Sequence, residues 1–265
     1  MEANSKLSDY NNLMKLEDEG VITNLSFYLT SLFGTEAITI LDLGIGPGAI
    51  SIPIFNKLKE SVKSINWIGI DKNDKVKLFL KDTKISFKNL DIEKYVLKLS
   101  DKNLSNGINE KVNIIFAPFL FQHLVYWEKT LNSFLEKTNI FVDAVAGGEI
   151  PLLFGEWELI ENLKNTNFKK KYKSLFEQSS YDVTKELTAS RYGSLELILK
   201  LNNFKKTKEF IATKKWDANL LINAIKNQVF VIPGKTFKNS EIEELFNNEN
   251  VVAKHTFRIW EKQNE

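Results

Sequence analysis

Five apolar segments of strand length alternate with helical patterns over the first 150 residues of this 265-residue chain. They are AITILDLG, INWIGID, ISFKNLD, VNIIFAPF and NIFVDAVAG, and helical stretches such as AISIPIFNKLKESV separate most of them. Strands that alternate with helices form βαβ units, and near-continuous Ile, Val and Leu is typical of strands buried on both faces. The pattern therefore predicts an α/β fold with a mostly parallel sheet and helices on both faces.

The rest of the chain is predicted to extend this core without forming a second domain. A helical lead occupies residues 1–36, the core residues 37–150, and two helical insertions residues 151–193 and 217–248. Two later segments, KKTKEFIATK and VAKHTFRIWEK, have the pattern of further strands. Because no Pro- or Gly-rich segment marks a boundary, we predict a single domain over residues 1–265, in which the insertions form a substrate cap.

Composition restricts the kinds of site that the chain can carry. Cysteine is absent, which excludes disulfides, thiolate metal sites and a cysteine nucleophile, and a chain with two histidines is poorly suited to a His-rich zinc site. The net charge of +2 provides no strong attraction to nucleic acid or to a membrane surface. The N-terminal MEANSKLSDYNN lacks the apolar stretch of a signal peptide. We therefore predict a cytoplasmic protein with no metal and no membrane association, with nucleic acid disfavoured as a partner; its oligomeric state is left open.

A glycine-rich turn, LGIGPGA, joins the first predicted strand to the helix that follows it. We call residues 44–48 the glycine loop. Such a loop lets a ligand approach backbone N–H groups and the N-terminus of a helix. Its spacing also satisfies the G-x-G-x-x-G/A pattern of dinucleotide sites. Asp42, two residues before the loop, is predicted to accept a hydrogen bond or to meet a cationic group, and to repel a pyrophosphate.

Two further acids end the second and third predicted strands. Asp71 ends INWIGID and is placed to hold a ribose through its hydroxyls, whereas Asp91 ends ISFKNLD and is placed to accept a hydrogen bond from the exocyclic amine of adenine. For Asp91, a helix N-cap is the alternative. One acid near a cation, one on a ribose and one on an adenine describe S-adenosylmethionine (SAM) better than NAD.

The motifs LDLGIGPG, WIGID and NLDIEKY together resemble the class I SAM-dependent methyltransferases, over about residues 37–150. Similarity is weaker in LKLNNFKKTKEF and AKHTFRIWEK. The resemblance implies a Rossmann-like sheet of seven strands, the last antiparallel, and SAM as the cofactor. It implies that the glycine loop holds the methionine part, that Asp71 binds the ribose and that Asp91 contacts adenine. The insertions exceed a minimal member of the family and leave the substrate unassigned.

The predicted cofactor site combines the loop glycines and the acids with their neighbours along the chain. Its residues are Asp42, Gly44, Gly46, Gly48, Asp71, Lys72, Asp91, Ile92 and Pro118.

The segment after the fourth predicted strand, FAPFLFQHLVYW, is expected to lie beside the reactive methyl group in an enzyme of this kind. It lacks the Asn/Asp-Pro-Pro-aromatic signature of many amino-methylating enzymes, which argues against a nucleobase amine as acceptor. Phe119, Gln122, Tyr126 and Trp127 are the predicted substrate-binding residues. His123 is predicted to be a general base, or a group that orients the substrate hydroxyl or amine, with a helix-start histidine bonded to backbone as the alternative.

These features predict a SAM-dependent methyltransferase that acts on a hydroxyl or an amine of a small molecule. Methylation of RNA or protein by the same core is the alternative, and the lysine-rich NFKKKYK, residues 167–173, is the most compact basic segment that could serve it. A non-catalytic SAM-binding protein is a further alternative. An NAD-linked oxidoreductase is disfavoured by Asp42 and Asp91.

Overall fold

The computed structural model describes residues 2–34, 36–99, 111–121, 124–148, 195–216, 219, 223 and 251–263. The predicted insertion over residues 151–193 lies outside these residues, as does that over residues 217–248 apart from residues 219 and 223.

Helices and strands alternate through the first half of the described chain. The elements are α1 Glu2–Met14, α2 Glu19–Phe33, β1 Ala37–Leu43, α3 Ser51–Leu58, β2 Ser64–Asp71, a 3₁₀ turn Asp74–Val76, α4 Lys77–Leu80, β3 Ser86–Asn89, α5 Ile92–Leu99, β4 Ile114–Pro118, α6 Trp127–Leu135, β5 Ile140–Gly148, β6 Phe204–Trp216 and β7 Val251–Lys262. Residues 195–201 are also helical, and we call them α7.

The strands of the described chain form one seven-stranded sheet in the order β3-β2-β1-β4-β5-β7-β6. Strands β1 to β5 pair in parallel, whereas β7 runs antiparallel to both β5 and β6. This confirms the predicted fold class, including the antiparallel last strand. The chain leaves β1 toward β2 and β3, then returns to the other side of β1 as β4. A reversal of this kind opens a crevice at the carboxyl ends of the strands, where α/β proteins bind ligands.

Helices cover both faces of the sheet because side chains alternate between the faces along each strand. In β1, Ile38 and Ile40 pack in the core under α2 and α3, whereas Leu41 and Leu43 pack in the core under α5 and α6. These four side chains are at most 1% exposed, so β1 is a central strand buried on both sides. The sheet therefore holds the loop after β1 on a rigid base.

The helical lead consists of two helices, which meet at residues 15–18. Asp18 interrupts the helical pattern because its carboxylate accepts a hydrogen bond from the backbone N–H of Val21 at 3.1 Å, which caps the N-terminus of α2. Leu13, Met14 and Leu16 are at most 3% exposed, so the junction is anchored in the core. The break in direction brings α1 across the end of β1, while α2 packs on α3.

The antiparallel end of the sheet contains a buried ion pair. Asp143 of β5 accepts hydrogen bonds from Arg258 Nε at 3.1 Å, from Arg258 Nη2, and from Trp260 Nε1 at 3.1 Å. Both charged residues are under 10% exposed. Glu196 of α7 lies 4.0 Å from Arg258 Nη1. The pair fixes the register of β5 against β7 with its charges compensated inside the protein. Among the described residues, no helix has the length and apolar character needed to cross a membrane.

Candidate functional site

A cavity of about 510 Å³ lies at the carboxyl ends of β1 to β4. Most of the residues predicted for the cofactor site contribute to its wall, together with one residue predicted to bind substrate. These wall residues are Gly44, Gly46, Asp71, Lys72, Asp91, Ile92, Pro118 and Phe119. The fold thus brings the glycine loop and two strand-end acids to a single cavity, as their positions after consecutive parallel strands require.

The glycine loop adopts a backbone conformation that suits glycine. Gly44 and Gly46 have φ angles of 70° and 54°, in the left-handed region that side chains disfavour. A Cβ added at Gly44 would lie 2.7 Å from Cδ1 of Leu120. One added at Gly46 would face the ring of Tyr10, 3.8 Å from Cε1. The absence of side chains here lets the loop pack closely under the cavity wall.

Backbone N–H groups of the glycine loop are used inside the protein. Gly44 and Ile45 both donate to the carbonyl of Ile70, at 2.8 and 3.0 Å. Gly46 donates to Oδ2 of Asp71 at 3.0 Å. The loop is thereby bonded to the end of β2 by three hydrogen bonds.

The remaining positions of the loop offer no donor either. Gly48 donates to the carbonyl of Ile45 at 3.2 Å, and Pro47 has no N–H. Every residue from 44 to 48 therefore either lacks an N–H group or donates it to another part of the chain. A phosphate would find no free loop amide here and would meet the carboxylate of Asp71.

Asp71 both shapes the loop and faces the cavity. Besides the bond from Gly46, its Oδ1 accepts from the backbone N–H of Asn73 at 2.8 Å. Each carboxylate oxygen can accept about two hydrogen bonds, so the described residues leave one acceptor position on each oxygen for a ligand hydroxyl. Asp71 therefore supports the glycine loop in addition to facing the cavity.

Asp91 caps α5 and contributes to the cavity wall at the same time. Its Oδ1 accepts from the backbone N–H of Lys94 at 3.2 Å, and its Oδ2 lies 3.7 Å from Nζ of Lys94. The N-cap alternative is thus realised. Ile92 begins α5 beside it, and first-turn N–H groups have no partner within a helix. An acceptor carboxylate and a backbone donor therefore lie side by side in the wall.

Asp42 does not contribute to the described cavity wall, which corrects the prediction that it meets a cationic group of the ligand. It is fully buried, and its Oδ2 accepts from Ser51 Oγ and from Trp67 Nε1, the latter at 3.0 Å. Its Oδ1 has no hydrogen-bond partner among the described residues. Burial raises the pKa of Asp42 to about 7, against the opposing effect of its two hydrogen bonds. Asp42 joins β1, β2 and α3 beneath the loop.

Gly48, Tyr126 and Trp127 also lie outside the described wall. A Cβ at Gly48 would lie 2.6 Å from Cδ1 of Ile52, so this glycine permits packing of the loop on α3. Tyr126 is 53% exposed, and its backbone N–H donates to Oε1 of Glu93. Trp127 is 8% exposed and packs in the core at the start of α6. Gln122 and His123 lie outside the described residues, so their predicted roles stay predictions.

The described segment after β4 gives the cavity an apolar wall. Phe119 has a φ of 57°, unusual for a residue with a side chain, and its ring packs edge-on against that of His255 at 5.0 Å. Leu120 and Leu124 complete this side of the wall. No group of three or more metal-ligating side chains occurs among the residues that the structure describes.

Sequence patterns missed the contribution of α1. Leu7 and Tyr10, three positions apart and so on one face of the helix, line the cavity. Burial and the nearby Asp71 raise the pKa of Tyr10 to about 12, so its phenol keeps its proton at neutral pH. The sequence predicted a helical lead over residues 1–36, but not that one of its faces would meet the glycine loop.

A scan of protein families and a search of curated proteins gave no match. A search of solved structures found similarity to the plantazolicin methyltransferase BpumL in complex with a pentazolic desmethylPZN analog and S-adenosylhomocysteine (SAH), at 16% identity and a TM-score of 0.48, covering 98% of this chain and 91% of that one. A putative methyltransferase from Bacillus halodurans C-125 is similar at 12% identity and a TM-score of 0.49, covering 90% and 99%. Magnesium protoporphyrin IX methyltransferase (ChlM) from Synechocystis PCC 6803 is similar at 11% and 0.47, covering 91% and 82%. Similarities of this size decide neither ligand nor substrate, which depend on the residues of this chain.

Proposed function

We propose that the protein is a SAM-dependent methyltransferase. The observation that carries this proposal is that the amides of the glycine loop donate within the protein and that Asp71 lies against the loop. A dinucleotide needs donors for its pyrophosphate at this point, whereas a nucleoside with a sulfonium and an amino acid group has no phosphate to bind. The cavity therefore suits a ligand that places its ribose or its sulfonium, and no phosphate, against the loop.

The polar groups of the wall match the rest of SAM. The free acceptor positions of Asp71 would take the hydroxyls of the ribose. The Asp91 carboxylate would accept from the exocyclic amine of adenine, while the N–H of Ile92 would donate to a ring nitrogen beside it. Leu90 and Leu124, also in the wall, provide apolar surface for a planar base. When bound, SAM supplies a methyl group on a positively charged sulfur, which is a strong electrophile.

The chain itself would contribute orientation more than acid–base chemistry. Phe119 and Leu120 lie in the described wall beside Pro118, where they would exclude water and hold an apolar part of the acceptor. Aligning the acceptor atom with the methyl group can provide much of the rate acceleration. We propose a hydroxyl or an amine of a small molecule as the acceptor, with His123 as its general base. The near-neutral net charge supports a small molecule over RNA.

Cofactor identity is tested by titration calorimetry with SAM, SAH and NAD. We expect SAM and SAH to bind and NAD not to bind. Asp71→Ala should weaken SAH binding, and Asp82→Ala is the matched control, because Asp82 is an exposed acid in the turn before β3, at the opposite end of the strand from the cavity. Binding of NAD without SAH would contradict the proposal.

Transfer is tested with SAM carrying a labelled methyl group, added to a lysate that is then divided into small-molecule, RNA and protein fractions. We expect label in the small-molecule fraction. Label mainly in RNA or protein would favour the alternative acceptors, and SAH binding without any transfer would favour a non-catalytic SAM-binding protein. Loss of turnover in His123→Ala with unchanged SAH affinity would support the general base.

A further inference from the structure

Tyr10 lies where a ligand in the cavity would meet α1. Its ring faces the backbone of Gly46, and Asp71 is close enough to influence the ionisation of its phenol. Gly46 and Asp71 are also hydrogen-bonded to each other. An aromatic ring that covers this pair presents an apolar face and one O–H donor to the cavity.

The end of α1 is bound to the far edge of the sheet by Lys214 of β6. Its Nζ donates to the carbonyls of Asn12 and Lys15, both at 3.0 Å, and lies 3.2 Å from the carboxylate of Glu17. The three donors of an ammonium group thus each face an oxygen. The carbonyl of Asn12 is one of the last four of α1, which have no partner within the helix. The last turn of α1 has no basic residue of its own, so Lys214 supplies the cation that a helix C-terminus favours.

A second bond connects the same junction to the residue that directly follows the glycine loop. The backbone N–H of Leu16 donates to the carbonyl of Ala49 at 3.0 Å. Tyr10 lies four residues before Met14, the last residue of α1, and at 1.5 Å per residue the separation is about 6 Å along the helix. A helix is stiff over one turn, so a shift of its end moves the Tyr10 ring relative to Gly46.

We propose that Tyr10 is a ligand-contacting residue of the cavity and that Lys214, at the other edge of the sheet from β3, is a positioning residue that acts through the end of α1. The identity of the ligand rests on the function proposed above. The side-chain and backbone contacts that place the Tyr10 ring stand independently of it.

The test compares SAH affinities of variants by titration calorimetry, with thermal unfolding of each variant measured without ligand. Tyr10→Ala should bind SAH about tenfold more weakly, since it loses the packing of a ring, whereas Tyr10→Phe should stay within about threefold. Lys214→Met should weaken binding by about threefold to tenfold, and Lys214→Arg should restore part of it. Lys205→Ala, which removes an exposed lysine elsewhere on β6, is the control and should bind like the wild type.

The double variant Tyr10→Ala/Lys214→Met separates positioning from general destabilisation. If Lys214 acts by placing Tyr10, the double variant should bind no more weakly than Tyr10→Ala alone. Independent effects that multiply would overturn the positioning role. Affinity of Tyr10→Ala within twofold of the wild type would overturn the contact. If Lys214→Met does not fold, Lys214→Arg decides the same question. Its smaller decrease in SAH affinity should then be absent when Tyr10→Ala is also present. A wild-type protein that does not bind SAH would instead contradict the proposed function.

Discussion

Among the described residues, two carboxylates are almost completely buried, one in β1 and one in β5, and they differ in whether a cation compensates their charge. Asp42 of β1, 0% exposed, receives hydrogen bonds from the neutral Ser51 and Trp67 and has no cationic partner among the residues that the structure describes. Asp143 of β5, 2% exposed, is paired with the guanidinium of Arg258. An unpaired buried carboxylate resists ionisation, so its pKa rises, whereas a paired one has its charge compensated on site. The buried charge at the antiparallel end of the sheet is therefore compensated by a cation, whereas the buried carboxylate near the glycine loop has no such compensation.

The same contrast extends to the edges of the two regions. At the carboxyl ends of β2 and β3, the acids Asp71 and Asp91 face the cavity and keep acceptor positions that no described residue fills. Beside β5, Glu196 approaches the Arg258 guanidinium and adds to the internal network. A region with unfilled acceptors at a cavity is suited to a ligand, whereas a region with compensated charges is suited to holding strands in register.

The largest expected effect is the loss of the compensating charge at the antiparallel end. Arg258→Met leaves Asp143 buried without a counterion, so the free energy of unfolding should fall by about 3–5 kcal/mol in urea denaturation. The double variant Asp143→Asn/Arg258→Met, with no buried charge left, should recover part of that loss. A decrease below about 1 kcal/mol in the single variant would mean that the two ends of the sheet do not differ as described.

The next effect concerns ligand binding at the glycine-loop end. Asp71→Ala should weaken SAH binding by about 1.5–3 kcal/mol, the range for hydrogen bonds to charged groups, as measured by calorimetry. It should also lower stability without ligand, because the N–H groups of Gly46 and Asn73 lose their acceptor. Asp71→Asn, which keeps an acceptor oxygen, is the matched variant and should lose less of both. An unchanged SAH affinity in Asp71→Ala would contradict the proposal that Asp71 binds the ribose.

Opposite pH responses should distinguish the two regions further. The pKa of Asp42 is raised from 3.8 to about 7, so between these values the folded state binds more protons than the unfolded state and stability falls as pH rises. Burial, with a smaller effect of Lys214, lowers the pKa of His255 from 6.5 to about 4, so its contribution to stability is complete above 6.5 and is lost as pH falls.

Each group contributes a slope of at most about 1.4 kcal/mol per pH unit. Urea denaturation at several pH values should show that Asp42→Asn stabilises the protein more at pH 7 than at pH 4, relative to the wild type. His255→Gln should show the reverse, with its relative gain at pH 4. If the free energy of unfolding changed with pH in the same way in both variants and the wild type, the raised pKa of Asp42 and the lowered pKa of His255 would both be contradicted.

The smallest expected effect separates the two roles of Asp91. Asp91→Ser keeps an N-cap for α5 but shortens the side chain, so stability should change by less than about 0.5 kcal/mol. SAH affinity should fall by about 0.5–1.5 kcal/mol, because the shorter hydroxyl cannot reach the adenine amine. If the free energy of unfolding and the free energy of SAH binding fell by equal amounts, Asp91 would act only as a helix cap.

Strand-end residues were predictable from the sequence because their place in a parallel sheet is set by the pattern itself. Asp71 is the last residue of β2, and the end of a parallel strand opens onto the crevice wherever the strand lies. Asp42 precedes the end of β1 by one residue, and it shares the parity of Ile38 and Ile40, which pack under α2 and α3. Two-residue alternation was thus a usable signal that Asp42 points into the core.

Residues placed by distant contacts could not be predicted in this way. Tyr10 contributes to the cavity because α1 is held by Lys214, some 200 positions along the chain, and no local pattern encodes that contact. The hydrogen bond from Gly46 to Asp71 also depends on tertiary packing, because it forms only when β2 lies close to β1. The fold followed from periodicity, whereas the details of the cavity followed from tertiary packing.

The bond between Lys214 and α1 also has a consequence for the order of folding. It joins residues 202 positions apart, and that between Thr213 and Asp18 spans 195. Contacts between residues so far apart in the sequence form slowly, and during synthesis on the ribosome they cannot form before β6 has been synthesised. We infer that α1 docks last, so the cavity acquires its Tyr10 wall only after the sheet is complete. Pulse-labelled amide exchange during refolding should show protection of Leu16 later than of β1, and simultaneous protection would contradict this order.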